Sequence, residues 1–304
     1  MKGMITGIKR LAIHDGAGIR TTVFFKGCPL KCIWCHNPEN ISFEKEIGFY
    51  ERKCIGCGTC VYACLCGAIN MSMGKPVIDR TKCVECVECV GTCGVVCPSG
   101  AMTLYGETWN TEALVETLLK DKPFYDASGG GVTLSGGECL AQPEFAIELA
   151  KSLHREGISV DIDTCGYVNK NVFEKIIPYT DMFLYDVKAI SQDVHKICTG
   201  RDNTLILENL QFLSQSGCKI EIRYPYVKGY NDKECRKIGK FLCEMSGITK
   251  VKVLGYHSYA SAKYEALGMK NTLPEVSVTA EDVDISVNIL KEYGLRAING
   301  LRDD

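Results

Sequence analysis

The stretch that decides the fold spans residues 21 to 35 and reads Thr21-Thr22-Val23-Phe24-Phe25-Lys26-Gly27-Cys28-Pro29-Leu30-Lys31-Cys32-Ile33-Trp34-Cys35. An apolar run typical of a buried strand leads directly into three cysteines at a Cys-x3-Cys-x2-Cys spacing. Three thiolates bind three irons of a cubane [4Fe–4S] cluster and leave the fourth iron without a protein ligand. The spacing therefore predicts a cluster whose open iron can bind and reduce a substrate. A structural zinc site would need four nitrogen or sulfur ligands.

The composition is that of a globular protein with a substantial core. The chain has 304 residues, of which 46% are hydrophobic and 24% charged, and its net charge is −2. This balance gives no electrostatic footprint for nucleic acid. No apolar run approaches the ~18 residues of a membrane span, and the first residues lack a signal core, so we expect a cytoplasmic protein away from membranes. Cytosolic thiols stay reduced, so 19 cysteines, 13 of them within the first 97 residues, indicate metal binding.

Strand-type and helix-type patterns alternate from about residue 106 onward. Strands are predicted at 132–135, 158–163, 182–187, 219–224 and 250–254, each after or before an amphipathic helix. With the first strand at 21–26 this gives six βα units, which favours a parallel sheet with helices outside. Six units are two short of a closed eight-stranded barrel. We therefore expect an α/β fold, a partial (β/α)6 TIM-like barrel, formed by residues 1–47 and 104–304.

Residues 48–103 interrupt this alternation with two cysteine runs. The first has the spacing of a bacterial ferredoxin cluster run and consists of Cys54, Cys57, Cys60 and Cys64. The second contains Cys83, Cys86, Cys89, Cys93 and Cys97. Each run ends before a Gly-Ala pair, at 67–68 and 100–101, so the segment reads as an inserted ferredoxin-like α+β domain with two [4Fe–4S] clusters. A zinc ribbon would need fewer cysteines.

The ligands of the second run are ambiguous. Regular spacing favours the set ending at Cys93, whereas the Cys97-Pro98 ending aligns Cys97 with Cys64. We favour the set Cys83, Cys86, Cys93 and Cys97, with Cys66 and Cys89 as spares. In such folds the fourth cysteine of each run binds the other cluster.

Polar residues follow each predicted strand of the barrel. In βα-barrels the active residues lie at the carboxyl ends of the strands. In chain order the signals after the three-cysteine loop are Gly136-Gly137-Glu138, Asp163-Thr164, Asp186-Val187-Lys188, Arg223 and His257. Taken singly, each signal has an ordinary structural explanation. Gly-Gly-Glu is commonly a turn, Asp163 could cap a helix, Lys188 and Arg223 could be surface charges, and a lone histidine such as His257 is commonly structural. Their recurrence at successive strand ends favours one shared site.

These motifs together resemble the radical S-adenosylmethionine (SAM) superfamily, and within it the glycyl radical enzyme activating enzymes. The narrower resemblance rests on the segments His14–Arg20, Cys35–Glu39, Gly129–Glu138, Asp163–Gly166 and Tyr185–Lys188. The insert resembles that of activases serving dehydratases, decarboxylases and C–N or C–S lyases. The sequences of three segments, 161–166, 183–188 and 205–210, most resemble those of activases of the hydroxyproline dehydratase type.

The resemblance implies a reaction. A reduced [4Fe–4S] cluster cleaves SAM to a 5′-deoxyadenosyl radical, which abstracts hydrogen from a backbone glycine of a partner, a glycyl radical enzyme. It also implies flavodoxin or ferredoxin as electron donor, three [4Fe–4S] clusters in total, a monovalent cation (Na⁺ or K⁺) and a monomeric protein.

The resemblance assigns roles residue by residue. The catalytic residues are Cys28, Cys32, Cys35 and Lys188. Contacts to SAM are assigned to Trp34, Cys35, His36, Gly136, Gly137, Glu138, Asp163, Asp186, Val187, Lys188 and His257. The resemblance implies that Asp163, Thr164, Asp186 and the Leu184 carbonyl bind the cation. It also implies that Asp15 and Arg223 contact the glycine loop of the partner.

Four positions depart from the family's usual residues, namely Ala17, Cys139, Cys165 and Gly255. None of them removes a predicted ligand. Two other functions compete with an activase. Another radical SAM enzyme acting on a peptide or small molecule would carry its auxiliary cysteines after the barrel. A non-catalytic ferredoxin-type electron carrier would leave the three-cysteine loop unexplained.

Overall fold

The computed structural model describes residues 1–84 and 91–302, so Cys86 and Cys89 lie outside the described residues. Its strands are β1 Lys2–Ala12, β2 Arg20–Phe25, β3 Glu46–Phe49, β4 Ile69–Ser72, β5 Lys75–Ile78, β6 Met102–Tyr105, β7 Glu107–Asn110, β8 Gly131–Gly136, β9 Ser159–Thr164, β10 Met182–Asp186, β11 Ile220–Tyr226, β12 Ile248–Gly255 and β13 Ala297–Asn299.

The α-helices are α1 Thr59–Tyr62, α2 Arg80–Val84, α3 Thr92–Val95, α4 Thr111–Leu119, α5 Lys122–Ser128, α6 Pro143–Arg155, α7 Lys170–Ile176, α8 Gln192–Thr199, α9 Thr204–Gln215, α10 Cys235–Leu242, α11 Ser261–Leu267 and α12 Ala280–Glu292. α6, α9 and α12 lie between or after the predicted strands, where the sequence predicts amphipathic helices. The N-cap of α4 is Asn110, whose side-chain oxygen accepts from the Ala113 amide at 2.7 Å.

The large sheet is mostly parallel, as the sequence predicts. Its strand order among the described residues is β13-β12-β11-β10-β9-β8-β2-β1-β7. Neighbouring strands among β2 and β8 to β13 all pair in parallel. β1 is antiparallel to both β2 and β7. β13 and β7 lie at opposite edges and do not pair, so the sheet stays open. The arrangement is a mixed α/β fold consistent with a partial barrel.

The prediction of six parallel strands is confirmed by β2 and β8 through β12, but it is incomplete. The apolar tail after the last helix forms a seventh parallel strand, β13, which pairs with β12 through Ala297, Ile298 and Asn299. Two antiparallel strands, β1 and β7, extend the other edge of the sheet. A three-residue strand is too short to show a period of its own, and glycines at positions 3 and 7 weaken the pattern of β1.

The parallel register brings the strand ends to one edge. Phe25 at the end of β2 lies opposite Gly136 at the end of β8, and Tyr185 of β10 lies opposite Thr164 of β9. The helices between strands pack on the outer face, where α6 buries Phe145 and its neighbours completely. Burying a side chain as large as that of Phe145 contributes about 1.5–3 kcal/mol. The core therefore fixes the strands, and the loops after them form the site.

Residues 46–105 have short elements and a small apolar cluster of their own. The buried members of that cluster are Ile47, Cys60, Ile69, Cys93 and Met102. β3 pairs with β6 and β4 pairs with β5, each pair antiparallel. The insert limits expected from the sequence, 48 and 103, fall inside β3 and β6.

Helices α1 and α3 repeat one another. Each follows a left-handed glycine, Gly58 or Gly91, and each carries a buried cysteine, Cys60 or Cys93. The two helices therefore occupy equivalent places in the two cysteine runs. Within the described chain, no helix is long and apolar enough to cross a membrane.

Candidate active site

A cavity of about 340 Å³ opens at the carboxyl edge of the parallel strands. Predicted site residues that line it are Asp15, Cys28, Cys32, Trp34, Cys35, His36, Gly136, Gly137, Asp163, Thr164, Asp186, Lys188 and Arg223. A cavity of this size lies in the ~300–1,000 Å³ range of small-molecule sites. The structure thus brings most of the residues predicted from six strand ends to one place.

The three-cysteine loop is held by distant parts of the chain. The Ile33 amide donates to the Cys198 carbonyl at 2.9 Å, and the Tyr264 hydroxyl donates to the Cys35 carbonyl at 3.1 Å. Ile33 accepts in turn from the Thr272 hydroxyl at 3.1 Å. The loop that carries the thiols is therefore rigid, although it has no regular secondary structure.

Lys263, which no sequence pattern singles out, holds the residues after the cysteines in place. Lys263 of α11 donates to the His36 carbonyl at 3.1 Å, to Asn37 Oδ1 at 3.0 Å and to Glu39 Oε1 at 2.6 Å. It lies more than 220 positions from these acceptors in the chain. Only the fold brings α11 to this loop, and no motif marks it.

The thiols fit a cluster better than a single metal ion. Within the described residues, no group of three His, Cys, Asp or Glu side chains is arranged to hold one ion. Cysteines that bind a cubane each meet a different iron, so their sulfurs need not converge on one point. Burial raises the pKa of Cys35 to about 12 and also raises that of Cys32. Bound iron would reverse this effect, since a coordinating thiol is deprotonated outright.

Charged side chains line the same cavity as the thiols. Asp186 forms an ion pair with Lys188, and Asp163 accepts from Arg223 Nη1 at 3.2 Å and from Ser135 Oγ at 2.6 Å. Burial raises the pKa of Asp163 to about 6, and Arg223 counteracts part of that rise. Burial opposes the charge on Lys188 most strongly, but Asp186 together with the nearby Cys32 and Cys165 outweighs it, so the pKa of Lys188 is raised. Both signs of charge are therefore fixed inside the cavity.

Asp15 and Arg223 meet at one side of this cavity. Arg223 donates to the His14 carbonyl at 3.2 Å, and its Nη2 lies 4.0 Å from Asp15 Oδ1. Asp15 is oriented by the Thr22 hydroxyl, which donates to its carboxylate at 2.8 Å. The loop from His14 to Arg20 thus contributes to the cavity alongside the strand ends.

The Gly-Gly pair is required by close approach. A Cβ added to Gly136 would lie 2.2 Å from the amide nitrogen of Phe25. A Cβ added to Gly137 would lie 2.4 Å from the carbonyl oxygen of Gly27. Gly136 also has φ +119°, which L side chains rarely adopt. These glycines place the turn after β8 directly against the strand that leads to the thiols.

Three residues predicted to contact SAM do not line the cavity. Glu138 is fully buried, and its carboxylate accepts from the Leu140 amide at 3.0 Å, the Cys165 amide at 2.7 Å and the Thr164 hydroxyl at 2.8 Å. Val187 is buried behind the wall, where its amide donates to the Arg223 carbonyl.

His257 is the third predicted residue that does not line the cavity. Its ring stacks on that of His36 with centroids 4.0 Å apart, and His36 Nε2 lies 2.7 Å from the His257 carbonyl. This separation leaves no space for an adenine between the two rings.

Several lining residues were not selected from the sequence. They are Phe24, Leu30, Asn37, Asn40, Ile41, Ser135, Cys165, Pro225, Val227, Leu254, Gly255 and Tyr256. Ser135 and Cys165 each adjoin a predicted site motif, so their positions gave a signal. The apolar members share the pattern of ordinary strand residues and gave none.

Comparison with known proteins agrees with this geometry. The family model described as "Radical SAM superfamily" matches residues 89–242, a range that begins after the three-cysteine loop. The trans-4-hydroxy-L-proline dehydratase activating enzyme of Clostridioides difficile is 38% identical over 287 residues, covering 93% of each chain. The choline trimethylamine-lyase activating enzyme of Oleidesulfovibrio alaskensis is 38% identical over 291 residues, again covering 93% of each. The chain belongs to the glycyl radical enzyme activating enzymes of the radical SAM superfamily.

This activating enzyme is therefore an oxidoreductase of a family that uses SAM and a [4Fe–4S] cluster. Solved structures support the fold alone. TYW1 with a lysine-pyruvate adduct bound aligns with a TM-score of 0.50 at 15% identity, over 93% of this chain and 74% of that one. SuiB of Streptococcus suis aligns with a TM-score of 0.51 at 14% identity, over 63% of this chain and 43% of that one.

Proposed function

We propose that this activating enzyme performs its chemistry in the cavity at the carboxyl edge of the sheet, with Cys28, Cys32 and Cys35 as the ligands of its reactive [4Fe–4S] cluster. One observation carries the proposal: these three thiols share the cavity with Asp186 and Lys188. When bound, the cluster supplies one electron that cleaves the C5′–S bond of SAM. The resulting radical takes a hydrogen atom from a glycine of the partner protein.

The chain's own residues would bind and orient SAM. The methionine part of SAM carries an ammonium and a carboxylate, and the cavity wall carries Asp and Lys side chains of both signs. Gly136 and Gly137 line the cavity and expose backbone there, and the cofactor would meet that backbone. Trp34 and His36 line the same cavity and would offer aromatic faces for adenine. Lys263 and Tyr264 hold this loop in position.

Glu138, by its contacts, supports the site from behind. Its carboxylate joins the turn after β8 to the turn after β9 through Thr164 and Cys165. We therefore propose that the amino group of SAM meets the backbone of the Gly-Gly pair, with the Glu138 side chain acting through that support.

A monovalent cation, Na⁺ or K⁺, would bind at Asp163, Thr164, Asp186 and the Leu184 carbonyl. In this structure Arg223 and Lys188 already pair with the two carboxylates. The cation would therefore compete with these side chains, and cleavage should depend on the concentration of KCl or NaCl.

Residues 48–103 would hold two further [4Fe–4S] clusters. A small pocket there is lined by Cys54, Cys57, Cys60 and Cys97, which are three cysteines of the first run and the last of the second. That is the exchange expected when each fourth cysteine binds the other cluster. The equivalence of α1 and α3 favours Cys93 over Cys89 as the counterpart of Cys60. The second cluster would then take Cys64, Cys83, Cys86 and Cys93.

The protein partner would be a glycyl radical enzyme of the dehydratase or lyase class, met by Asp15 and Arg223. The hydroxyproline dehydratase activating enzyme and the choline trimethylamine-lyase activating enzyme have the same sequence identity to this chain, 38%. Sequence identity therefore does not indicate which of their two partner enzymes this chain would activate. We propose flavodoxin or ferredoxin as the electron donor, and a monomeric cytoplasmic protein.

Reconstitution with iron and sulfide, reduction by dithionite and addition of SAM test the proposal. We expect 5′-deoxyadenosine from the wild type and none from Cys32→Ala. Adding trans-4-hydroxy-L-proline dehydratase or choline trimethylamine-lyase should then produce a glycine-centred radical detectable by EPR. No 5′-deoxyadenosine from a fully loaded wild type would overturn the SAM chemistry. Cleavage without a radical on either probe would favour another radical SAM function on a peptide or small molecule.

A further inference from the structure

Helix α11 contacts both the insert and the loop that carries the three cysteines. It packs against β3 of the insert and against the short 3-10 turn Pro38–Asn40, which follows the cysteines. Its Lys263 and Tyr264 side chains hold the residues from Cys35 onward, as described above. Any contact that fixes α11 to the insert therefore also fixes the insert relative to the thiols of the loop.

Arg80 makes such a contact. It is the first residue of α2, in the insert. Its Nη1 donates to the Ile47 carbonyl of β3, and its Nη2 donates to the Ala266 carbonyl of α11 at 2.7 Å. α11 ends at Leu267, so the Ala266 carbonyl lies in its last turn, where carbonyls lack an intrahelical partner. A cation is also favoured there by the negative end of the helix dipole. One guanidinium thus joins a strand of the insert to the helix that braces the cysteine loop.

The end of α11 fits closely against this guanidinium. The Gly268 amide donates to the Glu265 carbonyl at 3.0 Å, so the backbone itself satisfies that carbonyl, and Arg80 satisfies the next one, of Ala266. Gly268 has φ +65°, and a Cβ added there would lie 3.1 Å from Arg80 Nε. The helix therefore ends directly beside the insert.

Lys26 provides a second link, at the start of the cysteine loop. Its Nζ donates to Glu46 Oε2 of β3 and to the Glu39 carbonyl, both at 2.8 Å, and its side chain is fully buried. Lys26 closely precedes Cys28 in the chain, whereas the link through Arg80 and α11 reaches the residues at the end of the loop. β3 is therefore tied to both ends of the three-cysteine loop.

We propose that Arg80 is a positioning residue that fixes the insert against α11 and thereby keeps the path for electrons from the insert to the three-cysteine loop short and constant. The inference rests on the clusters proposed above for both places. Each transfer oxidises the insert by one electron and reduces the site at the cysteine loop by one electron, and reduced flavodoxin or ferredoxin restores the insert. Electron transfer slows steeply with distance, so a displaced insert would slow this step without changing the contacts that bind SAM.

The alternative is that Arg80 only stabilises the insert. Arg80→Met removes both hydrogen bonds and keeps most of the length of the side chain. Arg80→Lys keeps the charge but loses the planar fork that reaches two carbonyls at once. Arg52→Met is the matched control, because Arg52 is an exposed arginine of the same insert.

The first measurement is the rate of 5′-deoxyadenosine formation by the reconstituted protein with dithionite and with reduced ferredoxin. Dithionite is small and can reach the cysteine loop directly. We expect Arg80→Met to keep the wild-type rate with dithionite and to lose about tenfold with ferredoxin, which is the effect of one hydrogen bond from a charged donor on the docked population. Arg80→Lys should lie in between, and Arg52→Met should match the wild type with both reductants.

Hydrogen–deuterium exchange of the same loaded proteins gives a readout that does not depend on turnover. In Arg80→Met, amides of α11 and β3 should exchange about tenfold faster, again the effect of one charged hydrogen bond. Amides of the core strand β10 should keep their wild-type rates, because β10 lies in the large sheet away from this contact. Unchanged exchange in α11 would overturn the proposal.

Two further outcomes would also overturn it. One is an unchanged rate with ferredoxin in a folded, fully loaded Arg80→Met, and the other is equal slowing with both reductants. If Arg80→Met fails to retain iron and sulfide in the insert, Glu46→Gln breaks the link to Lys26 instead and must show the same selective slowing, or the proposal fails. The wild-type reaction with dithionite does not depend on these results, so the proposed function would stand independently.

Discussion

The chain has two cysteine-rich regions that differ in what surrounds the sulfurs. The barrel loop has three thiols in a cavity that also contains Asp163, Asp186, Lys188 and Arg223. Among the described residues, the pocket at Cys54, Cys57, Cys60 and Cys97 has four thiols and no charged side chain on its wall. An incomplete thiol set next to fixed charges can bind an ionic substrate at an open iron. A complete set among apolar residues can only store or pass an electron.

The largest effect should come from removing one thiol in each region. Cys32→Ala should abolish SAM cleavage, since the open-iron cluster loses one of three ligands. Cys57→Ala should leave cleavage largely intact with dithionite and slow it with a protein donor. The measurement is 5′-deoxyadenosine per protein under each reductant. Equal and complete loss in both variants with dithionite, with circular dichroism unchanged, would show that the two regions are not functionally divided.

Glu138→Gln tests whether the cavity at the three-cysteine loop depends on the hydrogen bonds that the buried Glu138 carboxylate accepts. The four-thiol pocket has no charged side chain on its wall among the described residues. An amide cannot accept from all three donors that reach the buried carboxylate, so we expect a loss of about 3 kcal/mol in the free energy of unfolding. SAM cleavage should fall at least tenfold, because the turns carrying Gly137 and Cys165 separate. Urea denaturation and 5′-deoxyadenosine assays measure the two effects.

Glu234→Gln is the matched control. Glu234 is a second buried glutamate, which accepts from the amides of Ile190 and Ser191. It should lose similar stability but retain cleavage at a temperature where it is folded. Equal loss of activity in both variants would mean that Glu138 matters only for stability.

Lys263→Met tests the bracing of the loop after the cysteines. The ammonium binds three acceptors between His36 and Glu39, so its loss should loosen the adenine side of the cavity. We expect SAM to bind about tenfold more weakly, equivalent to about 1.4 kcal/mol, while the cleavage rate at saturation changes little. Lys270→Met, at an exposed neighbouring position, should leave affinity unchanged. A lower saturated rate with unchanged affinity would contradict a bracing role.

The smallest effect concerns the ion pair between Arg20 of β2 and Asp161 of β9. Burial raises the pKa of Asp161 to about 7 beside Arg20, which lies 3.3 Å away. A carboxyl whose pKa rises on folding stabilises the protein fully below its ordinary pKa and loses that contribution as pH rises through 7. The wild type should therefore lose about 1.4 kcal/mol between pH 6 and pH 8 from this group. In Asp161→Asn that slope should vanish in urea denaturation; a slope equal to the wild type would rule out Asp161 as its source.

The fold and the cavity were predictable to the extent that they follow from periodicity and strand order. The strands from β8 to β12 each bury an apolar run, and residues such as Asp163 and Asp186 follow those runs directly. The parallel sheet then brings them together. β13 was missed because three residues have no measurable period.

The remainder of the site depends on contacts that sequence spacing does not encode. Lys263 reaches His36 from the far end of the chain, and only packing of α11 decides this. Glu138 belongs to a recognisable motif, but the direction of its side chain depends on the donors at Thr164 and Cys165. A motif gives the residue and its place in the chain, whereas the fold decides which way it points.

The bonds that hold the three-cysteine loop also set an order of assembly during synthesis. The loop is complete only when residues as late as Tyr264 and Thr272 have been made. The strand pairs of the segment from 46 to 105 close within that segment. At about 5–20 residues per second, roughly 10–30 s separate the two events. The strand pairs around the four-thiol pocket can therefore form on a nascent chain while the three-cysteine loop still lacks its supports.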